Sequence, residues 1–377
     1  MRKYVSFAPT DAGFVNVLMN LEVALSISEI TNRTLILPPD FWFFYASKKF
    51  NKENFIDIFN YINKDYLYSN FNCIDLYDVP ELDGLFSKIE QKETDCPIRG
   101  KRPYSYTGNI QKYISNIKNI DMGKDVVVSG SPYVFYSGTI EDYSDFSKFS
   151  GKRTKFSLDF EEQFLHFERN LYGLYWYSVY PGGPLKRNRL KNKVNSSLMY
   201  KDKFAKMSEK VYNTIGPYNS IHVRRNDFLE DRSEYISDTS QSSKLSAIIK
   251  YLFKDNKPVY ISTDEKDLTF FDDLSKYKTL YFLKDFYTDI DDKLSESILE
   301  QLICVNSDLF YGTYMSTYSK RINILRGYQN KQTSDGMGIN NLYHPLCDYT
   351  DPLPWTKYNV YWNWESSSHP QWLNELV

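Results

Sequence analysis

The chain has 377 residues, a net charge of −2, 42% hydrophobic and 25% charged residues. That length predicts two domains, the composition excludes a disordered chain, and the absence of a basic excess excludes a typical nucleic-acid binder. Four cysteines (Cys73, Cys96, Cys304 and Cys347) occur without CxxC spacing, which excludes a zinc ribbon or a dense disulfide framework and leaves a Cys73–Cys96 bridge open.

The N-terminus, MRKYVSFAPTDAGF, begins like a signal n-region but lacks the apolar stretch that must follow. No run of about 18 apolar residues occurs, so no membrane-spanning helix is expected. The chain as given reads as cytoplasmic, and as secretory only if a targeting segment has been removed. Tyr4 to Phe7 reads as a strand. Residues 13–31 read as a helix with Phe14, Val17, Leu18, Leu21, Ala24 and Leu25 on one stripe, stopped at Asn32. Thr34 to Leu37 is extended and ends at Pro38-Pro39. This βαβ opening favours a parallel sheet. Helices are expected near 53–61 and 159–171, and Asp125 to Ser129 reads as a buried strand. The Pro181-Gly-Gly-Pro184 stretch and the basic run 185–193 read as an exposed loop or linker.

From residue 200 the pattern is regular. Helices are expected at 201–211, 243–253, 266–276, 294–304 and 316–325, and strands at 219–224, 258–262, 279–282 and 308–311. Such alternation predicts a doubly wound Rossmann-type domain. The tail, 344–377, carries Trp355, Trp362, Trp364 and Trp372 and is expected to pack across the first domain.

Three stretches carry residue types suited to chemistry. In Ile221-His-Val-Arg-Arg-Asn-Asp-Phe228, alternation puts His222 and Arg224 on the face opposite Ile221 and Val223. Arg224 and Arg225 fall at the strand's carboxyl end, where open α/β sheets bind ligands, and two guanidinium forks suit a diphosphate. The alternative is that Asp227 and Glu230 neutralise both arginines at a domain edge. In Asp308-Leu-Phe-Tyr-Gly-Thr-Tyr-Met-Ser-Thr-Tyr-Ser319, a strand enters a glycine-containing loop and then a helix whose first turn offers amides and hydroxyls to an anion. A serine N-cap accounts for Ser316 alone. In Thr263-Asp264-Glu265, an acidic side chain, with Asp264 the candidate, is placed to accept hydrogen bonds from a ribose or base, or to cap the next helix. Asp289-Ile-Asp291 imitates a metal-binding DxD but lies in an acidic run opening a helix, and no Walker A, GxGxxG or HExxH motif occurs.

Taken in order, these segments resemble the GDP-fucose protein O-fucosyltransferase family and the related α1,6-fucosyltransferases. Gly13-Phe-Val-Asn16, Leu21-Glu22 and Asn32-Arg-Thr-Leu-Ile-Leu-Pro-Pro39 look like the family's first motif. IHVRRNDF looks like its HxRR motif. Residues 298–322 look like its last motif, most similar to the branch that modifies thrombospondin repeats. The resemblance implies an α/β chain of GT-B type, with two facing Rossmann-like domains, a cleft between them and no metal or other cofactor. It implies an N-terminal acceptor-side domain over 1–195 and a nucleotide-sugar domain over 196–343. It further implies an inverting transfer of fucose from GDP-fucose to a protein or glycan hydroxyl. By residue, Arg224 would hold the β-phosphate, His222 would contact the nucleoside, and Ser316, Thr317 and Tyr318 would hold the diphosphate with Arg225 nearby. Glu300 would meet guanine, and Asn16 would lie near the reacting centre. That branch carries a catalytic Glu directly before its Gly-Phe-Asn. Here the place is Ala12, so either Asp11 serves as base from a shifted loop or the reaction has no dedicated base. Two alternatives stand beside this reading: another nucleotide deoxysugar, GDP-linked or UDP-rhamnose, on the same scaffold, and a non-catalytic nucleotide- or glycan-binding protein.

Overall fold

The computed structural model describes residues 2–7, 13–37, 41–42, 55–80, 126–129, 134–136, 155–157, 164–167, 183–226, 253–290, 292–313, 316–328 and 334–335, with single positions between 229 and 250. The chain divides into two compact units, passing from one to the other between Met199 and Tyr200. In the first lie β1 (Tyr4–Phe7), α1 (Phe14–Thr31), β2 (Thr34–Leu37), β3 (Phe41–Trp42), β4 (Phe55–Ile56), α2 (Lys64–Asn70) and β5 (Cys73–Asp75). They are followed by β6 (Val126–Ser129), β7 (Val134–Tyr136), β8 (Lys155–Ser157), β9 (Phe164–Phe167) and α3 (Gly183–Ser197). Its main sheet is parallel in the order β5-β2-β1-β9-β6. Helix α1 is long and apolar enough by composition to cross a membrane, yet 78% of it is buried within the fold. A helix covered on every side has no need of a polar face, so even Asn20 and Glu22 are buried. Asn32 ends it with φ 52°, the left-handed conformation that asparagine tolerates, and its N–H bonds the Ser28 and Glu29 carbonyls.

Three expectations fail in this unit, each for a local reason. Residues 55–60 form a strand and a 3-10 turn rather than a helix. There the Asp57 carboxylate accepts the Phe59 N–H, a side-chain bond that competes with helix continuation. Within the expected helix at 159–171, residues 164–167 are strand β9, because the short apolar run FLHF finds ladders on both sides, β1 and β6. From Gly183 on, the presumed loop at 181–193 is helix α3, with Pro184 in its first turn where a missing N–H costs nothing. Leu190, Val194 and Leu198, spaced by four, form the buried stripe beneath the basic residues, and α3 packs on α1. Lys193 Nζ reaches Glu29 of α1 at 2.7 Å. Cys73 is a free thiol, its pKa raised to about 12 by burial and the Asp75 charge. The tail from 344 lies outside the described residues.

The second unit contains α4 (Asp202–Ile215), β10 (Asn219–Val223), β11 (Val259–Thr263), α5 (Asp272–Ser275), β12 (Leu280–Tyr281), α6 (Lys293–Asn306), β13 (Phe310–Gly312), α7 (Thr317–Tyr328) and β14 (Ser334–Asp335). Its sheet is parallel throughout, in the order β12-β11-β10-β13-β14. The chain starts at the centre, runs to one edge and returns to the other side. That reversal makes a switch point at the carboxyl ends of β10 and β13. All five residues of β10 are buried, as a central parallel strand requires. Ile221 and Val223 pack with Leu245, Ile249, Phe253, Ile261 and Leu274 on one face. The helix expected at 266–276 is instead a 3-10 turn (Leu268–Phe271), capped by Asp267, followed by the short α5. Asp292 caps α6, accepting the Leu294 and Ser295 N–H groups at 2.8 Å each. Buried Arg326 of α7 closes the other end of α6, donating to the carbonyls of Cys304, Val305, Ser307 and Asp308.

Candidate functional site

Parallel strands splay at their carboxyl ends and leave backbone groups that the ladder no longer pairs. In the second unit, side chains take over. Thr313, just past β13, donates its hydroxyl to the His222 carbonyl at 2.7 Å and accepts the Arg224 N–H at 3.0 Å. Thr263, at the end of β11, donates to the Val223 carbonyl at 2.8 Å. Asp264 accepts the Arg225 N–H at 2.7 Å. The end of β10 is thus held from both sides, and Arg224 leaves it at a fixed place.

The two arginines then part. Arg225 turns to Glu265, with Nε 2.6 Å from Oε2, and lies 3.7 Å above the Phe270 ring. Burial would raise the Glu265 carboxyl, but hydrogen bonds from the Asp267 N–H and Arg225, with the Arg225 charge, hold it below its usual range. Arg224 meets the other carboxylate oxygen of Asp264 through Nε at 3.4 Å, and 36% of its side chain stays open to solvent, against 18% for Arg225. Among the described residues, Asp264 and Glu265, at the end of β11, are acidic partners of the two arginines. Asp227 and Glu230, which the sequence suggested, lie outside the described residues.

His222 points away from the core cluster, toward α7. Its Nδ1 lies 2.7 Å from Ser319 Oγ, and its ring stacks on Tyr318 with centroids 4.4 Å apart. Burial, reinforced by the Arg224 charge, lowers its pKa to about 3, so the imidazole is neutral and a poor proton acceptor near pH 7. Gly312 makes this closeness achievable. A Cβ there would meet Ser319 Cβ at 2.8 Å, so only glycine lets α7 lie against the strand end.

Helix α7 begins at the same end. Ser316 is buried and its N–H bonds the Thr313 carbonyl at 3.3 Å, while Thr317 and Tyr318 are partly exposed. The Tyr318 hydroxyl donates to the Ser297 carbonyl at 2.9 Å and lies 3.3 Å from Ser262 Oγ. What Tyr318 presents to an anion is thus its place in the helix's first turn, with the dipole behind it. Behind this layer, Glu300 of α6 takes the Tyr260 hydroxyl at 3.4 Å. Burial, with the Glu296 and Asp264 charges, raises its pKa to about 8 despite hydrogen bonds from Tyr260 and Ser262. Its carboxyl is mostly protonated at pH 7.

The second unit thus gathers His222, Arg224, Arg225, Asp264, Ser316, Thr317 and Tyr318 around one strand end, with Glu300 a layer behind. Asn16 belongs to the first unit, in the first turn of α1, where its buried Oδ1 lacks a hydrogen-bond partner among the described residues. Asp11 lies outside the described residues. Thr313, Ser319 and Glu265 lay within the stretches marked in the sequence, but their partners, the end of β10, His222 and Arg225, lie 40 to 97 positions away and could not be read there. Among the described residues, no group of three His, Cys, Asp or Glu is arranged to hold a metal.

A parallel α/β sheet, an arginine at its central carboxyl end and a helix amino terminus beside it are the features of proteins that hold a nucleotide diphosphate. The sequence profile of the GDP-fucose protein O-fucosyltransferase family matches residues 4–329. The chain belongs to that family, a family of glycosyltransferases. GDP-fucose protein O-fucosyltransferase 2 of Caenorhabditis elegans is 30% identical over 141 residues, 36% of this chain and 31% of that one, so the match spans about a third of that relative. The crystal structure of POFUT1 in complex with GDP aligns with a TM-score of 0.50 at 12% identity, over 89% of this chain and 98% of that one. Fucosyltransferase NodZ from Bradyrhizobium aligns with a TM-score of 0.45 at 10% identity, over 88% of this chain and 97% of that one. At such identity the POFUT1 likeness is one of fold.

Proposed function

We propose that the protein is an inverting, metal-independent fucosyltransferase of GT-B type that uses GDP-fucose and a hydroxyl acceptor on a protein or glycan. The observation that carries this reading is Arg224, held at the carboxyl end of β10 by Thr313 and Asp264, beside the amino terminus of α7. The acceptor oxygen attacks the anomeric carbon, and the bond from that carbon to the β-phosphate oxygen breaks. The electron pair leaves with GDP, whose growing charge meets the Arg224 guanidinium and the α7 amides. The acceptor proton passes to Asp11 or, on a base-free route, to the departing phosphate. His222 stays neutral and serves to shape the nucleoside side of the site. The buried Asn16 Oδ1, which has no hydrogen-bond partner among the described residues, suits a hydroxyl donor.

The test is GDP release across a nucleotide-sugar panel with EDTA present. Release from GDP-fucose is expected. Arg224→Ala is expected to lower kcat about a hundred- to a thousand-fold, the cost of one donor to a developing oxyanion. A wild-type rate in that variant would remove the central claim, and EDTA inhibition would remove metal independence. Asp11→Asn should lower turnover with unchanged GDP binding if Asp11 is the base. One observation favours a different deoxysugar nucleotide. Burial raises the Glu300 carboxyl to about 8, so it must first give up a proton before it can offer guanine's N–H edge two acceptors. Release from another donor in the panel would select that reading.

A further inference from the structure

Asp264 divides its carboxylate between two neighbours. Oδ1 takes the Arg225 backbone N–H at 2.7 Å and Oδ2 faces Arg224 Nε at 3.4 Å. Its own carbonyl takes the Asn226 side chain at 2.8 Å, so the loop after β11 is tied to the loop after β10. Arg225 meanwhile has its own carboxylate, Glu265, and its own ring, Phe270. The second oxygen of Asp264 therefore serves Arg224, the more exposed of the two arginines. A long guanidinium side chain at a half-exposed place loses much rotamer freedom when it must meet a ligand in one geometry. An anchor at Nε, the root of the guanidinium, removes part of that freedom in advance and sets the plane in which the planar group lies.

We propose that Asp264 is a positioning residue for the transfer step. It holds Arg224 ready for the leaving β-phosphate and makes no contact with the base or ribose. The proposal rests on the leaving-group role given to Arg224. Asparagine at 264 separates the two duties of the carboxylate. It keeps an oxygen for the Arg225 N–H, but it loses the charge and sets an amide N–H against the Arg224 Nε–H, donor against donor. The loop tie is retained while the ion pair to Arg224 Nε is lost.

The experiment compares wild type, Asp264→Asn and Arg224→Ala. It measures GDP release from GDP-fucose, competition by guanosine (which carries no phosphate) and the melting temperature. Asp264→Asn should lower kcat by about a hundred-fold, the cost of a misplaced catalytic group, with the guanosine inhibition constant and the melting temperature unchanged. A wild-type kcat in Asp264→Asn would overturn the proposal. So would a loss of guanosine affinity in step with kcat, because Asp264 would then be serving the nucleoside directly. If Arg224→Ala alone turns over at the wild-type rate, the leaving-group reading fails first and the positioning role falls with it, which distinguishes the two failures.

Discussion

Burial moves His222 and Glu300 in opposite directions, and both end uncharged at neutral pH. His222 falls from 6.5 to about 3, so between those values the unfolded chain binds a proton that the folded chain refuses. Its contribution to stability is present above about 6.5 and is lost as pH falls toward 3. Glu300 rises from 4.5 to about 8, so the folded chain keeps a proton that the unfolded chain has lost. Its contribution is full below 4.5 and is lost as pH rises toward 8. Wild-type stability should therefore decline across that upper window, by at most about 1.4 kcal/mol per pH unit from this group. Glu300→Gln should flatten the decline, as read by melting temperature against pH. An identical profile in both proteins would mean that Glu300 is ionised throughout. The sequence marked both residues as site candidates but carried no sign of their charge state, because that depends on what α6, α7 and β11 bring against them.

Helices α6 and α7 are the elements that build the site, and two of their residues test how. Arg326 is wholly buried with its pKa lowered to about 10 by burial, a cost offset by four carbonyls and the negative end of the α6 dipole. Arg326→Ala would take the guanidinium donors from those carbonyls, of which Cys304 keeps the Ser307 hydroxyl, so a loss of about 3 kcal/mol is expected in denaturant unfolding. Arg326→Lys should recover only part, since one ammonium cannot span the fork's reach. Gly312→Ala tests the approach of α7 to β13. Its Cβ would strike the root of Ser319 rather than a flexible tip, so α7 must shift. A loss of about 1–3 kcal/mol is expected, with slower GDP-fucose turnover as Ser319 moves off His222. Unchanged stability and turnover would mean that the contact yields at no cost. The strand ending in Gly312 and the helix after it were both legible in the sequence. Their separation was not, because the glycine was visible but the side chain it makes room for lies seven residues on, across a turn.

At the scale of the whole molecule, the described residues of the proposed donor site belong to the second unit, at 222–226, 263–265 and 312–319 without 314 and 315. Hydrogen exchange with and without GDP should show added protection in those three segments, with the strands of the first unit's sheet far less affected. GDP at about a hundred times its dissociation constant should also stabilise the protein by about 2.7 kcal/mol. Protection centred on β1, β6 and β9 instead would move the nucleotide to the other sheet and undo the assignment.

By itself the sequence determined what depends on near neighbours. The strand and helix order from residue 200, the opposite faces of His222 and Ile221, the anion-suited start of α7 and the family motifs are all written in periodicity and short spacing. Three elements of the first unit were misread for the same reason. FLHF is too short to show a period, the stripe Leu190, Val194 and Leu198 was hidden under basic residues, and Asp57 broke a run that looked helical. Only the tertiary structure decided which carboxylate each arginine meets and which arginine is the more exposed, since Arg225 finds Glu265 forty positions away and Asp264 reaches back to Arg224. The same holds for the neutral state of His222 and Glu300. Pattern within an element is a local property of the chain, whereas burial and charge pairing depend on which distant elements the fold brings alongside.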